Sequence, residues 1–395
     1  MKALIVNKFY YLRGGDCVAA FGVENLLKSK GWEVAVFSMQ CQENLPSAWT
    51  PYFPETIDFS FPGLSQKWSA ATRIFHSSDV ARKFKRLLAD FKPDVVHLHN
   101  IHSYLSPLVA QIAHQKGIRV VWTLHDYKLI CPAYTCLRHG TVCEACFRDK
   151  FSVLRHKCMK NSIIASKLAY LEACYWNRKK LSRLTHTFIS PSLFLKTKMT
   201  EAGFASEQIE ILPNFMPQKP APATEKDDYY CYVGRISAEK GIESLLEAAR
   251  QLPYRLKIIG GGPLLDAYRQ QYPLKQVEFL GHLPPDSLYP IVQKARFLAL
   301  PSIWYENNPI SAIEALCMGT PVLGARIGGI PELIAEGRNG YLFTPGDVTG
   351  LQEKISLMFS MGNSLFAYEK ISTEAYNKFS PESFYDKLIN IYLHS

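Results

Sequence analysis

Short runs of aliphatic, aromatic and β-branched residues recur along this chain, most of them set apart by a stretch of helix length. This alternation constrains the fold more than any other feature. In the first half the runs are 3–6, 34–37, 95–98, 120–124 and 187–189; in the second they are 229–233, 256–259, 277–280, 297–300 and 321–323. Strands alternating with helices read as a mostly parallel sheet covered on both faces. At 395 residues the chain exceeds one ordinary core and fits two such domains. The expected fold class is therefore α/β, with two Rossmann-like, doubly wound domains in series. Residues 213–228 hold Pro213, Pro217, Pro220 and Pro222 with few apolar residues, the composition of a linker. That divides the chain into 1–212, the linker 213–228, and 229–379. Ser380 as N-cap and Pro381 at the first helical position open a last helix within 380–395, expected to pack back on the first domain. No internal repeat or low-complexity tract is visible.

No run reaches the eighteen apolar residues of a membrane span, and the opening MKALIVNKFY reads as a buried strand instead of a charged leader. The expected location is the cytoplasm, where ten cysteines are thiols unless they bind metal. The net charge of +10 is uneven. Residues 1–200 carry 28 Lys and Arg against 13 Asp and Glu, hence +15, and residues 201–395 carry 17 against 22, hence −5. A basic half suits nucleic acid, an anionic membrane surface or a phosphate-bearing substrate. The loops described next favour the last two and no nucleic acid.

The segment 302–314, SIWYENNPISAIE, follows the strand 297–300 and so lies at a carboxyl end, where open α/β sheets bind ligands. Asn308 suits an N-cap and Pro309 a first helical residue, which leaves the amides of Ile310 and Ser311 as donors at the positive end of a helix. Glu306 precedes this helix, and Glu314 sits inside it with a side chain tilted back towards the start. A carboxylate next to a diphosphate is repelled, so the pair makes sense as acceptors for hydroxyls at either end of a nucleotide sugar. The plainer reading is a helix-surface Glu314 and a solvated Glu306. After the strand 229–233 comes Gly234-Arg235, then Lys240-Gly241, which supplies two cations from one loop. These would neutralise charge building on a diphosphate leaving group without a metal. The turn Gly260-Gly261-Gly262-Pro263 is weaker evidence, since glycines there often serve packing alone.

Gly234-Arg-x4-Lys240-Gly, Gly260-Gly-Gly-Pro, the Glu306 and Glu314 pair and Gly328-Gly-Ile-Pro-Glu332 resemble family 4 of the retaining glycosyltransferases, in the glycogen- and starch-synthase-like superfamily of GT-B fold. In the first half Gly14-Gly15 is similar to that family's glycine loop, Asp94-Val-Val-His97-Leu-His99 to its DVVHxH strand, and His125-Asp126 to its active-site histidine. The resemblance spans nearly the whole chain. It implies two Rossmann-like domains facing across a cleft, with Arg235 and Lys240 on the diphosphate, Glu314 on the ribose and Glu306 on the sugar hydroxyls. It further implies contacts from Gly234, Gly260, Gly262, Asn214, Asn308, Pro309, Ile310 and Ser311, with Gly14, Gly15 and His125 approaching from the first domain. Catalysis in that family retains configuration by front-face displacement, usually without a metal, so no protein nucleophile is assigned. Asn307-Asn308-Pro309 departs from the Gly-Phe-Gly common after the first glutamate. For His97 and His99 the plainer role is structural pairing along the strand.

Between His125 and residue 160 lie Cys131, Cys136, Cys143, Cys146 and Cys158. Cys143-x2-Cys146 has the bite of a zinc knuckle. By resemblance to surface-polysaccharide members of the family, the four ligands of a structural zinc would be Cys131, Cys143, Cys146 and Cys158, with Cys136 extra. Reduced, packed cysteines or a redox-labile pair are the alternatives. Residues 148–183 interleave lysines and arginines with Ile163, Ile164, Tyr175 and Trp176, the make-up of a peripheral membrane helix or of a solvated face over a core.

These features point to transfer of a hexose from a UDP- or GDP-linked sugar to a glycan or polyprenyl-diphosphate-linked acceptor, with no cofactor in catalysis, at the inner face of the plasma membrane. An epimerase or phosphorylase on the same fold, and a non-catalytic nucleotide-sugar binder, are the competing readings.

Overall fold

The computed structural model describes residues 1–56, 73–223, 225–360, 362 and 366–394. Thr224 of the expected linker and Ser395 of the expected last helix lie outside the described residues. The chain forms two compact units: Met1–Arg138, Cys143–Pro213 and Tyr385–Ser395 in the first, His139–Val142 and Asn214–Phe384 in the second.

In the first unit, β1 (Lys2–Val6), β2 (Glu33–Phe37), β3 (Val95–Leu98) and β4 (Arg119–Thr123) precede the short β5 (Leu137–Arg138), while the equally short β6 (Thr141–Val142) falls in the stretch grouped with the second unit. The first unit continues with β7 (Thr187–Ser190) and β8 (Ile209–Ile211). The sheet runs β2-β1-β3-β4-β7-β8 with parallel pairing throughout. In the second unit β9 (Tyr229–Val233), β10 (Arg255–Ile259), β11 (Val277–Gly281), β12 (Leu298–Leu300), β13 (Val322–Ala325) and β14 (Gly340–Phe343) form a parallel sheet ordered β11-β10-β9-β12-β13-β14. Both are doubly wound Rossmann-like α/β units, as the alternation predicts. Each six-stranded sheet holds one more strand than the periodicity signals. β8 and β14 are short edge strands, and their sequences, Ile-Glu-Ile and Gly-Tyr-Leu-Phe, are interrupted by a charge or open on glycine.

Strand order decides where ligands bind. In a doubly wound sheet the crevice opens outside the carboxyl ends where the order reverses. That point lies between β1 and β3 in the first unit and between β9 and β12 in the second. The helix Ile242–Arg250 returns from β9 with Ile242, Leu245, Leu246 and Ala249 fully buried, as their helical spacing requires.

The last helix, Pro381–His394, starts at Ser380, whose hydroxyl accepts from Ser383 N at 3.2 Å. Its distal part is counted with the first unit. Trp32 Nε1 donates to Tyr385 OH at 3.0 Å, and Tyr392 OH lies 2.7 Å from Nδ1 of the buried His97. The other nitrogen of His97 meets Thr123 Oγ1 at 2.7 Å. Burial drives the His97 pKa down to about 3, so the ring is neutral and uses both nitrogens, one as donor and one as acceptor. Tyr392→Phe therefore leaves one nitrogen of His97 without a partner. The expected loss is about 1–3 kcal/mol of stability, read from the shift of the urea midpoint at neutral pH. Among the described residues no helix is long and apolar enough to cross a membrane.

Candidate functional site

In the second unit the loops after β9 and β12 meet at the switch point. The β9 loop closes in a single 3-10 turn, Ala238–Lys240, ended by Gly241 at φ 66°. A Cβ on Gly241 would lie 2.0 Å from Pro301 O of the β12 loop, so the two loops touch backbone to backbone only because the residue is glycine. That contact places Lys240 Nζ 2.7 Å from Glu306 Oε1. Ser302 Oγ and Trp304 Nε1 donate to the same oxygen at 2.6 and 2.9 Å. Burial opposes the charge on Glu306, but the ammonium and these donors outweigh it and hold the carboxyl below its usual range. All three bonds end on Oε1, so Oε2 retains acceptor capacity. Arg235 pairs with Glu239, itself held by Ser237 Oγ at 2.7 Å.

The helix after this loop is Ile310–Cys317, with Pro309 at the N-cap. The sequence places the cap one residue earlier. Asn308 does not cap the helix, because its Oδ1 accepts from Asn214 N at 2.8 Å while its carbonyl accepts from Asn214 Nδ2 at 3.0 Å. The first intrahelical bond comes from Ala312 N to Pro309 O, so the amides of Ile310 and Ser311 precede the hydrogen-bonded ladder. Inside the helix, Glu314 Oε1 accepts from Tyr289 OH at 3.0 Å. Burial raises its pKa to about 7, with the tyrosine bond acting in the opposite direction.

Gly260 and Gly262 have a packing role visible in the backbone. A Cβ on either would fall 1.9 Å from Gly234 O or 2.2 Å from Ile236 O, so both let the β10 turn lie against the β9 loop. Gly261 between them faces open space.

In the first unit the switch-point loops bring together groups that the motifs do not all mark. The helix Gly15–Ser29 begins at the Gly14 N-cap, with Asp16 in its first turn. Asn100 Nδ2, just past β3, donates to Asp16 Oδ2 at 2.9 Å. Burial works against the Asp16 charge, but Lys8 and His125 are close enough to hold the carboxyl below its normal range. His125 follows β4, and its Nε2 lies 2.8 Å from His99 Nδ1 with the rings stacked. Burial lowers the His125 pKa to about 4 in spite of Asp16, so the ring is neutral. Lys8, Asp16 and Asn100 belong to this cluster yet carry no motif. The acidic residue directly after Gly14-Gly15 was the available signal for Asp16.

The five cysteines of the 131–158 loop are free thiols. Among the described residues no group of three or more His, Cys, Asp or Glu side chains is placed to hold a metal ion. The expected zinc set Cys131, Cys143, Cys146 and Cys158 is not among such groups. Tyr134 and Cys136 adopt left-handed backbone, φ 58° and 51°, and the Cys136 and Cys146 thiols hydrogen-bond Cys131. Those two thiols hold Cys131 well below the usual thiol range and are themselves pushed up.

Residues 22–217 match the model of Glycosyltransferase Family 4, and residues 217–378 that of Glycosyl transferases group 1. An uncharacterized 42.6 kDa protein in the cps region of Klebsiella pneumoniae is 27% identical over 355 residues, which are 84% of this chain and 87% of that protein. A sulfoquinovosyl transferase of Arabidopsis thaliana is 26% identical over 68% of this chain and 50% of its own length. Among solved structures, sucrose-phosphate synthase from Thermosynechococcus elongatus superposes with a TM-score of 0.71 at 18% identity, covering 99% of this chain and 98% of that one. Anabaena HepE in complex with UDP and glucose gives 0.67 at 17% identity, covering 99% of each chain. At such identities the likeness is one of fold.

Proposed function

We propose that the chain, which has the GT-B fold and matches the group 1 and family 4 glycosyltransferase models in its two halves, moves a hexose from a nucleotide-diphospho-sugar, with retention, to a glycan or lipid-linked glycan in cell-surface polysaccharide synthesis. The observation that carries the reading is the convergence of Lys240, Ser302 and Trp304 on one oxygen of Glu306 at the switch point of the second sheet.

In this mechanism Glu306 Oε2 accepts from hydroxyls of the transferred sugar, and Lys240 and Arg235 neutralise the departing diphosphate. The helix start at Asn308, Pro309, Ile310 and Ser311 adds donors, with Asn214 fixing Asn308. Glu314 accepts from the ribose hydroxyls. The bond from the anomeric carbon to phosphate oxygen breaks, the bond to the acceptor oxygen forms on the same face, and the acceptor proton passes to the departing phosphate oxygen. The chemistry uses no metal and no protein nucleophile. Gly14, Gly15 and His125 are the substrate-contacting residues of this reading within the first unit. His125 acts as a neutral hydrogen-bonding group instead of a proton donor, in keeping with its lowered pKa. The Klebsiella relative's place in a cps region supports a surface-polysaccharide role.

A thermal-shift panel of UDP-, GDP- and ADP-sugars, followed by hydrolysis assays on any hit, tests the reading, which fails if none stabilises the protein. Glu314 gives a sharper readout. Its folded pKa of about 7 lies above the ordinary 4.5, and ribose hydroxyls donating to the carboxylate favour the ionised form. Nucleotide binding at neutral pH is therefore expected to release a proton and to tighten as pH rises from about 6 to about 8. Calorimetry in buffers of different ionisation enthalpy measures the release, and Glu314→Gln abolishes it.

A further inference from the structure

The helix Ile163–Tyr175 is built inside out. Its buried residues are Ser166, Ala169 and Glu172, while Ile163, Ile164, Leu171 and Tyr175 are 58, 72, 39 and 45% exposed. A helix at the surface of a soluble domain normally does the reverse. The inversion is locked by polar contacts underneath. Glu172 pairs with Lys128 at 2.8 Å, both side chains buried, and Ser166 Oγ accepts from Met159 N at 3.1 Å. Rolling the helix to hide its isoleucines would strip a buried ion pair, so the apolar face stays outward.

The surroundings of that face are cationic. Residues 148–183 contain ten Lys and Arg against Asp149 and Glu172 alone, and Glu172 is already neutralised by Lys128. Lys157, Lys160, Lys167 and Arg178 are exposed around the helix. Isolated aliphatic side chains among lysines with long apolar stems suit a surface that needs no shape complementarity. Positive charge selects an anionic one.

We propose that this face docks on an anionic lipid surface, with Ile163, Ile164 and Leu171 entering the headgroup boundary and Lys160, Lys167 and Arg178 meeting lipid phosphates. The helix then lies in the plane of the membrane. The docking is independent of the transfer chemistry, since it is read without donor or acceptor.

The test is co-sedimentation of the full chain with vesicles of equal parts phosphatidylethanolamine and phosphatidylglycerol, and with vesicles of phosphatidylcholine alone. Wild type is expected to bind the first and not the second, and to be released by about 0.5 M salt. Ile163→Glu/Ile164→Glu is expected to bind at least about tenfold more weakly, with an unchanged melting temperature because both side chains are exposed in the free protein. Lys167→Glu, a second variant on the same face, should weaken binding without touching the isoleucines. Failure of wild type to bind anionic vesicles, equal binding to phosphatidylcholine, or full binding by both variants would each overturn the proposal.

Discussion

Lys240→Met is expected to cost about 3–5 kcal/mol of stability, far more than the loss of an exposed charge, because it leaves the Glu306 carboxylate buried without its counter-ion. Ser302 and Trp304 still donate to Oε1, but neither carries charge. Glu306→Gln alone should cost less, since a neutral amide accepts from the same donors and places no charge in the interior. The double variant Lys240→Met/Glu306→Gln is expected to recover most of the stability lost by Lys240→Met. Activity should not follow. Each variant removes either the cation that meets the leaving group or the acceptor for the sugar, and about 10²–10³-fold in kcat/KM is expected to disappear in all three. Denaturant midpoints beside initial rates separate the two effects. If the double variant is no more stable than Lys240→Met, the ion pair is not what holds the loop.

Acid is expected to unfold the first unit early. His97, His99, His102 and His125 all have pKa values lowered by burial, to about 3 for His97 and about 4 for His125. In the unfolded chain a histidine takes up a proton near its ordinary 6.5, so between about 6.5 and about 4 the unfolded state binds more protons than the folded one. Stability therefore rises with pH across that window and is lost as pH falls, by about 1.4 kcal/mol per pH unit for each histidine that stays neutral. Glu314 works the other way, its raised pKa favouring the folded protein at the acid end, but it is one group against four. Urea midpoints from pH 7 to pH 4.5 measure the slope, and His125→Asn should reduce it by one histidine's share. A flat profile would show that the cluster protonates in place.

Much of the architecture is legible in the amino-acid sequence. The βα alternation anticipates two parallel sheets because buried parallel strands must be apolar and their crossovers must be helical. The spacing of Glu306 and Glu314 identifies a loop and a helix start at a carboxyl strand end. What stayed hidden depended on neighbours distant in the chain. Asp16 gains its meaning from Lys8, Asn100 and His125, and Gly260 and Gly262 from a loop some twenty-five residues earlier. Which of the loop's thiols meet is likewise decided by the fold. Sequence spacing lists thiols in order, whereas the fold brings Cys136 and Cys146 to Cys131.

By itself, then, the sequence determined the class of fold, the two-unit plan and the loops that carry charge, because hydrophobic periodicity and strand-end position are local properties. Only the tertiary structure decided the pairing of Lys240 with Glu306, the partner of Asn308, the neutrality of the histidines and the outward face of the helix Ile163–Tyr175. Those depend on burial and on contacts between remote segments, which set both the cost of a charge and the side of a helix that faces water.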